Sequence, residues 1–83
     1  MIMMTRPGPD PSVAAVDVVR VIVAARPPAL GTADLADEFD LSSEAMRRRL
    51  HQLDEDGYLF SETVGGGLVW WPTDDGRALL TQA

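Results

Sequence analysis

Arg47-Arg48-Arg49, followed at once by Leu50 and then by His51 and Gln52, is a short basic stretch in an otherwise acidic chain. A guanidinium donates bidentately to guanine O6 and N7 or to a phosphate, and a glutamine amide pairs with adenine. The chemistry on offer is recognition of an anionic, base-bearing polymer. Covalent chemistry has no comparable group. The chain has no cysteine and one histidine, so neither a thiolate nucleophile nor a cysteine or multi-histidine metal site can be assembled. Gly65-Gly66-Gly67 joins two strand-like runs and no lysine follows it, so it is not a phosphate loop. No nucleophile–base pair stands out. The sequence predicts a protein that is not an enzyme and needs no cofactor and no metal.

The elements that must position the arginines are legible around them. Asp40-Leu41-Ser42-Ser43 reads as a tight turn whose serine caps a helix running to about Asp56, with Glu44 in its first turn, where the helix dipole favours an acid. Met46, Leu50 and Leu53 recur at helical spacing and define its buried side. Gly57 follows as the left-handed residue that stops it. On this wheel Glu44, Ala45, Arg48, His51 and Gln52 face away from the core and Arg47 and Arg49 flank them. Ser42, Ser43, Glu44, Ala45, Arg47, Arg48, Arg49, His51 and Gln52 are therefore the candidate DNA contacts, Arg48 for bases and Arg47 and Arg49 for phosphates. Successive helical residues lie 100° apart, so the three arginines cannot all point one way, and pairing with Glu44, Asp54 or nearby acids is the competing use. His51 reads as a polar surface residue or phosphate contact rather than a metal ligand.

Ahead of this helix, residues 1–9 form a tail, and the domain occupies 10–83. Asp10-Pro11 reads as a cap and first helical residue. Ala15, Val16, Val18, Val19, Ile22 and Val23 then share an apolar face opposite Asp17 and Arg20, and Pro27-Pro28 ends the helix. Thr32 is expected to cap a second, short helix with Leu35, Ala36 and Phe39 inside. Past Gly57 the period changes to two. Tyr58–Val64 and Leu68–Trp71 flank the glycines as an antiparallel hairpin. Thr73 with Asp74 and Asp75 opens a short last helix. The fold class is mainly α with a β-hairpin, a winged helix-turn-helix with a three-helix core, a two-stranded wing and a short C-terminal helix.

The local wording agrees with this topology. Leu35 through Leu50 resembles the "L-A-x-x-x-x-L-S-x-x-x-V-x-R-x-L" stretch of MarR-like and ArsR-like regulators. Leu53 through Leu59 resembles their passage from recognition helix to wing, and Thr73 through Leu80 resembles the segment after the wing. Val69-Trp70-Trp71 is similar to small archaeal members of this group. The resemblance covers residues 12–81 and implies duplex-DNA binding through the third helix. The wing departs from the pattern. Its tip, Thr63 with Gly65, Gly66 and Gly67, has no cation, so phosphate contact there falls to a hydroxyl and backbone N–H groups, or the tip is a plain turn.

Trp70 and Trp71 must face opposite sides of a strand, one inward and one outward. Val13, Val16, Val21, Trp71, Leu79 and Leu80 are the candidates for a homodimer interface built from the terminal helices, with core packing as the alternative. The 83 residues suit one domain. A formal charge of −6, no lysine and a pI near 4.4 resemble proteins of halophiles, with a GC-rich bacterial genome as the alternative. No long apolar run is present, so a cytoplasmic, membrane-free location is expected. A winged-helix protein–protein module is the competing function, favoured by the acidity, the uncharged wing and the tandem tryptophans.

Overall fold

The computed structural model describes residues 13–82. The expected tail and the Asp10-Pro11 start lie outside the described residues. The order is α1 (Ala15–Ala24), β1 (Leu30–Gly31), α2 (Thr32–Glu38), α3 (Ser43–Glu55), β2 (Leu59–Val64), β3 (Gly67–Pro72) and α4 (Asp74–Ala78), ending in a 3₁₀ turn at Leu79–Thr81. This is the predicted succession with one strand more. No helix among the described residues is long and apolar enough to cross a membrane.

α1 begins later than its sequence pattern predicts. Val13 and Ala14 are not helical, and Ala14 is extended at φ −65°, ψ 140°. The cause is tertiary: the Val13 carbonyl accepts a hydrogen bond from Arg49 of α3. Within α1 the predicted faces hold. Val18, Val19 and Ile22 are buried, while Arg20 and Asp17 pair across the solvent side at 2.9 Å. The helix stops at Ala24, ahead of the two prolines, because a residue before proline is biased out of the helical region.

α2 buries Leu35 and Ala36, as expected, but Thr32 is not its cap. Gly31 takes the cap position with no side-chain bond, and Thr32 is the first helical residue. The Thr32 hydroxyl instead accepts the indole N–H of Trp70 at 2.9 Å. A buried indole needs an acceptor, and this need outweighs a cap worth about 1 kcal/mol.

The connection into α3 follows its local signals. Asp40 adopts φ 57°, a conformation that aspartate tolerates better than most residues. Ser42 caps α3, its Oγ accepting the Ala45 N–H at 3.1 Å. Ser42→Ala is expected to cost about 1 kcal/mol and to lower Tm by about 6 °C in a thermal melt. Gly57 stands at φ 89° directly after the helix, where only a glycine is comfortable.

β2 and β3 pair antiparallel, Leu59 opposite Pro72 and Val64 opposite Gly67. Gly65 (φ 58°) and Gly66 (φ 87°) alone make the turn, so Gly67 belongs to the strand rather than to the tip. β1, which the sequence did not reveal, adds to the free side of β3 with Leu30 opposite Trp70, giving a three-stranded sheet in the order β1-β3-β2. Two residues are too few to show a period. One core joins Val18, Val19 and Ile22 of α1, Leu35 and Ala36 of α2, Met46, Leu50 and Leu53 of α3, Leu59 of β2 and Trp70 of β3.

Candidate nucleic-acid interface

α3 buries Met46, Leu50 and Leu53, and this seam dictates where each arginine goes. Arg47 is exposed and lines an open cleft of about 420 Å³. The cleft is walled by Thr32 and Ala33 from the start of α2, Ser43 and Arg47 from the first turns of α3, and Thr63, Gly66, Gly67 and Leu68 from the wing. Among the described residues Arg47 forms no ion pair. The N-terminal end of a 13-residue helix, a guanidinium one turn further on and glycine backbone at the wing tip thus border one space, and both the helix end and the cation favour an anion there.

Arg48 points to solvent. It lies 3.7 Å from Glu44, with the two side chains 71% and 70% exposed, a separation and exposure at which an ion pair contributes roughly 0–1 kcal/mol. The pair keeps Arg48 aligned along the helix without committing it. Arg49 is half-buried and turns inward. Its Nε donates to the Val13 carbonyl at 2.8 Å and its NH1 group to Gln52 Oε1 at 3.0 Å. Two of the expected contacts, Arg49 and Gln52, are therefore engaged with each other.

The remaining expected residues divide in the same way. Glu44 and Gln52 are exposed and Ala45 half-buried. Ser42 is occupied as the cap, while Ser43 faces the cleft. His51, itself exposed, packs against the buried Trp70, the rings T-shaped at 5.2 Å and 83°. At the wing, Thr63, Gly66 and Gly67 reach the cleft, and Gly65 is exposed beyond it. Thr32, Ala33 and Leu68 also line it. Sequence reasoning missed these three, and the only available signal for the first two was their place at the start of α2. Among the described residues no cluster of three or more histidine and acidic side chains is placed to hold a metal ion.

The tandem tryptophans part as the pleat requires. Trp70 is completely buried. Trp71 faces outward, half-buried, stacked on Phe60 at 6.3 Å and 9° and donating its Nε1–H to Glu62 at 3.1 Å. Phe60 (46% exposed) and Val64 (55%) stand on the same outer face of the wing. Of the residues considered for a dimer, Val13, Val21, Leu79 and Leu80 pack on the core within one chain, and all six are half-buried.

No protein-family model matches the chain, and no curated protein does. Solved structures do. The chain is similar to a MarR family transcriptional regulator from Streptomyces coelicolor, with a TM-score of 0.71 at 13% identity over 81% of this chain and 47% of that one. It is similar to the transcriptional regulator BldR from Sulfolobus solfataricus (TM-score 0.65, 15% identity, 83% and 51% covered). It is also similar to the AntR antimony-specific transcriptional repressor (TM-score 0.64, 18% identity, 80% and 59% covered). The chain spans about half the length of these structures. At such identities the likeness establishes the fold, a winged helix-turn-helix, and leaves function to the chemistry of the site.

Proposed function

We propose that this chain is a DNA-binding transcriptional regulator that lays α3 in the major groove of duplex DNA. The observation that carries the reading is the placement of Arg47 in the cleft between the start of α3 and the wing tip, with the adjacent Arg48, about 100° further round the same helix, facing solvent. An exposed α3 flank fits the width of a major groove, and the cleft suits a backbone phosphate beside it. Arg48 reads bases and Arg47 holds a phosphate. Ser43, Thr63 and the Gly66 and Gly67 backbone complete the phosphate contact without a wing cation.

The net charge of −6 opposes DNA at low salt. At molar salt the Debye length falls to ~3 Å, so both this repulsion and the counterion-release gain shrink, and direct contacts and fit carry the affinity. We take the acidity, on this account, as an adaptation to a salt-rich cytoplasm. The protein acts as a homodimer through its terminal helices, joined by Trp71 of β3, with Val16 and Trp71 not among the side chains packed on the core of their own chain. A two-fold axis then sets two copies of α3 about 34 Å apart on DNA, and the sites are palindromic.

The test is a mobility-shift assay with genomic fragments at high potassium, comparing the wild type with Arg47→Ala and Arg48→Ala. Arg47→Ala is expected to weaken binding about tenfold on all sequences and to reduce the salt slope by about 0.9. Arg48→Ala is expected to relax the base preference. Undiminished binding by both variants sinks the assignment of α3, and sedimentation at molar salt tests the dimer.

A second reading, a winged-helix module that binds protein, is favoured by the aromatic pair Phe60–Trp71 on a cation-free wing. It prevails if the wild type shifts no fragment while Phe60→Ser abolishes capture of a protein partner.

A further inference from the structure

The three arginines of α3 leave the helix in three directions, and only Arg49 turns back onto the protein. Its partly buried hydrogen bond to the Val13 carbonyl spans 36 residues of sequence, and its second donor takes up Gln52 on its own helix. Both acceptors are neutral, so there is no ion pair; one hydrogen bond leaves α3 for the lead-in of α1, and the other holds the guanidinium against its own helix. Val13 immediately precedes Ala14, the residue that caps α1. The first bond therefore clamps the middle of α3 to the lead-in of α1, on the side of the helix that the cleft does not use.

We propose that Arg49 is a positioning residue for DNA reading and does not itself touch DNA. The proposal rests on the DNA-binding function inferred above and divides its arginines by role. Met46, Leu50 and Leu53 form a single, fully buried apolar seam that holds α3 on the core, while a small rotation about the helix axis, too small to unpack the seam, is checked only by a directional contact. The hydrogen bond from Arg49 to the Val13 carbonyl, with the guanidinium steadied by Gln52, has a defined direction and does resist it. Such a rotation swings Arg47 out of the cleft and Arg48 off its base. Phosphate attraction survives such an error because it depends mainly on charge. Bidentate base contacts do not, because they depend on angle.

The experiment enriches duplexes from a random library with the wild-type chain. It then measures fluorescence anisotropy with an enriched duplex and with a random duplex of equal length across a series of KCl concentrations. Wild type, Arg49→Met, Arg49→Lys and Arg47→Met are compared, each first shown by thermal melting to be folded. Arg49→Met is expected to lose about tenfold of the preference for the enriched duplex while keeping the wild-type salt slope, and Arg47→Met to lower that slope by about 0.9. Arg49→Lys keeps the charge but not the planar fork, so it is expected to lose the preference as well. It carries the comparison should Arg49→Met not fold.

Two results overturn the proposal with DNA binding intact. One is a slope lowered by about 0.9 in Arg49→Met and restored in Arg49→Lys, which makes Arg49 a phosphate ligand. The other is an unchanged slope and an unchanged preference in Arg49→Met. Failure of the wild type to enrich any duplex is a separate outcome, which refutes the DNA-binding function and the proposal with it.

Discussion

Trp70→Ala is expected to lower stability by about 4 kcal/mol, against the roughly 4–12 kcal/mol that a domain of this size possesses in total. The variant should melt some 20 °C or more below the wild type, or fail to fold at 37 °C. Trp70 is the largest fully buried side chain and stands in the middle strand of the sheet. Its ring meets His51 of α3, and its Nε1–H reaches Thr32 at the start of α2. Truncation thus opens a cavity and loosens both helices that border the cleft. Trp70→Phe keeps most of the volume and isolates the polar part of the loss, about 2 kcal/mol once the unpaired Thr32 hydroxyl is included. Pairing it with Thr32→Val in a double-mutant cycle should give a coupling of about 1 kcal/mol. Chemical denaturation at high KCl measures the four proteins of the cycle and Trp70→Ala. A Trp70→Ala variant within 1 kcal/mol of the wild type, on the scale of an exposed-site substitution, contradicts the central place given to this residue.

Gly76→Ala should destabilise by about 3 kcal/mol, although helix propensity alone predicts a gain of about 1 kcal/mol. Gly76 is buried in α4. A Cβ built there runs into the carbonyl oxygen of Tyr58, at the exit from α3. That carbonyl cannot retreat cheaply. It accepts the Thr73 N–H at 3.0 Å, and the Thr73 hydroxyl donates to the neighbouring Gly57 carbonyl at 2.6 Å while accepting the Gly76 N–H at 2.9 Å. The missing Cβ is what lets α4 close on the junction between α3 and the wing. The expected fall in Tm is about 15 °C. An unchanged or raised Tm shows that propensity wins and that the backbone can shift. The glycine of the Thr73–Leu80 segment, which the sequence offers only as part of a resemblance, thereby acquires a physical cause.

Both predictions concern contacts between residues distant in the chain, and this separates what was legible in the sequence from what was not. Ser42 at the cap of α3, Gly57 at its end, Thr73 at the cap of α4 and the glycine turn of the wing were all readable, because each signal is completed within three or four residues. The burial of Met46, Leu50 and Leu53 was readable because a helix repeats its faces. The late start of α1 was not, since it depends on Arg49 meeting Val13. The role of Thr32 was not either, since its partner Trp70 lies 38 residues away. β1 exists only because β3 offers it a hydrogen-bonding edge.

The candidate site divides in the same way. The spacing of residues 42–52 placed the arginines on one helix and put that helix at the surface. It could not apportion them. Whether an arginine on the flank of a helix meets solvent, a neighbouring acid or a remote carbonyl is decided by what the fold brings alongside. Here the wing opens a cleft beside Arg47, Glu44 runs along the helix with Arg48, and the lead-in of α1 captures Arg49. The pleat likewise guaranteed that Trp70 and Trp71 would oppose each other, without saying which faced in.

By itself, then, the sequence determined the order of the four helices and the hairpin, the caps of α3 and α4, the glycine turn of the wing, the buried seams of α1, α2 and α3 and the identity of the basic helix. These follow from backbone geometry and periodicity, which act over a turn or two of chain. Only the tertiary structure decided which tryptophan fills the core, why α4 must carry a glycine, and how three adjacent arginines divide among a cleft, an exposed ion pair and an internal clamp. Those outcomes depend on long-range hydrogen bonds and close backbone approaches, whose partners become neighbours only when the core has formed.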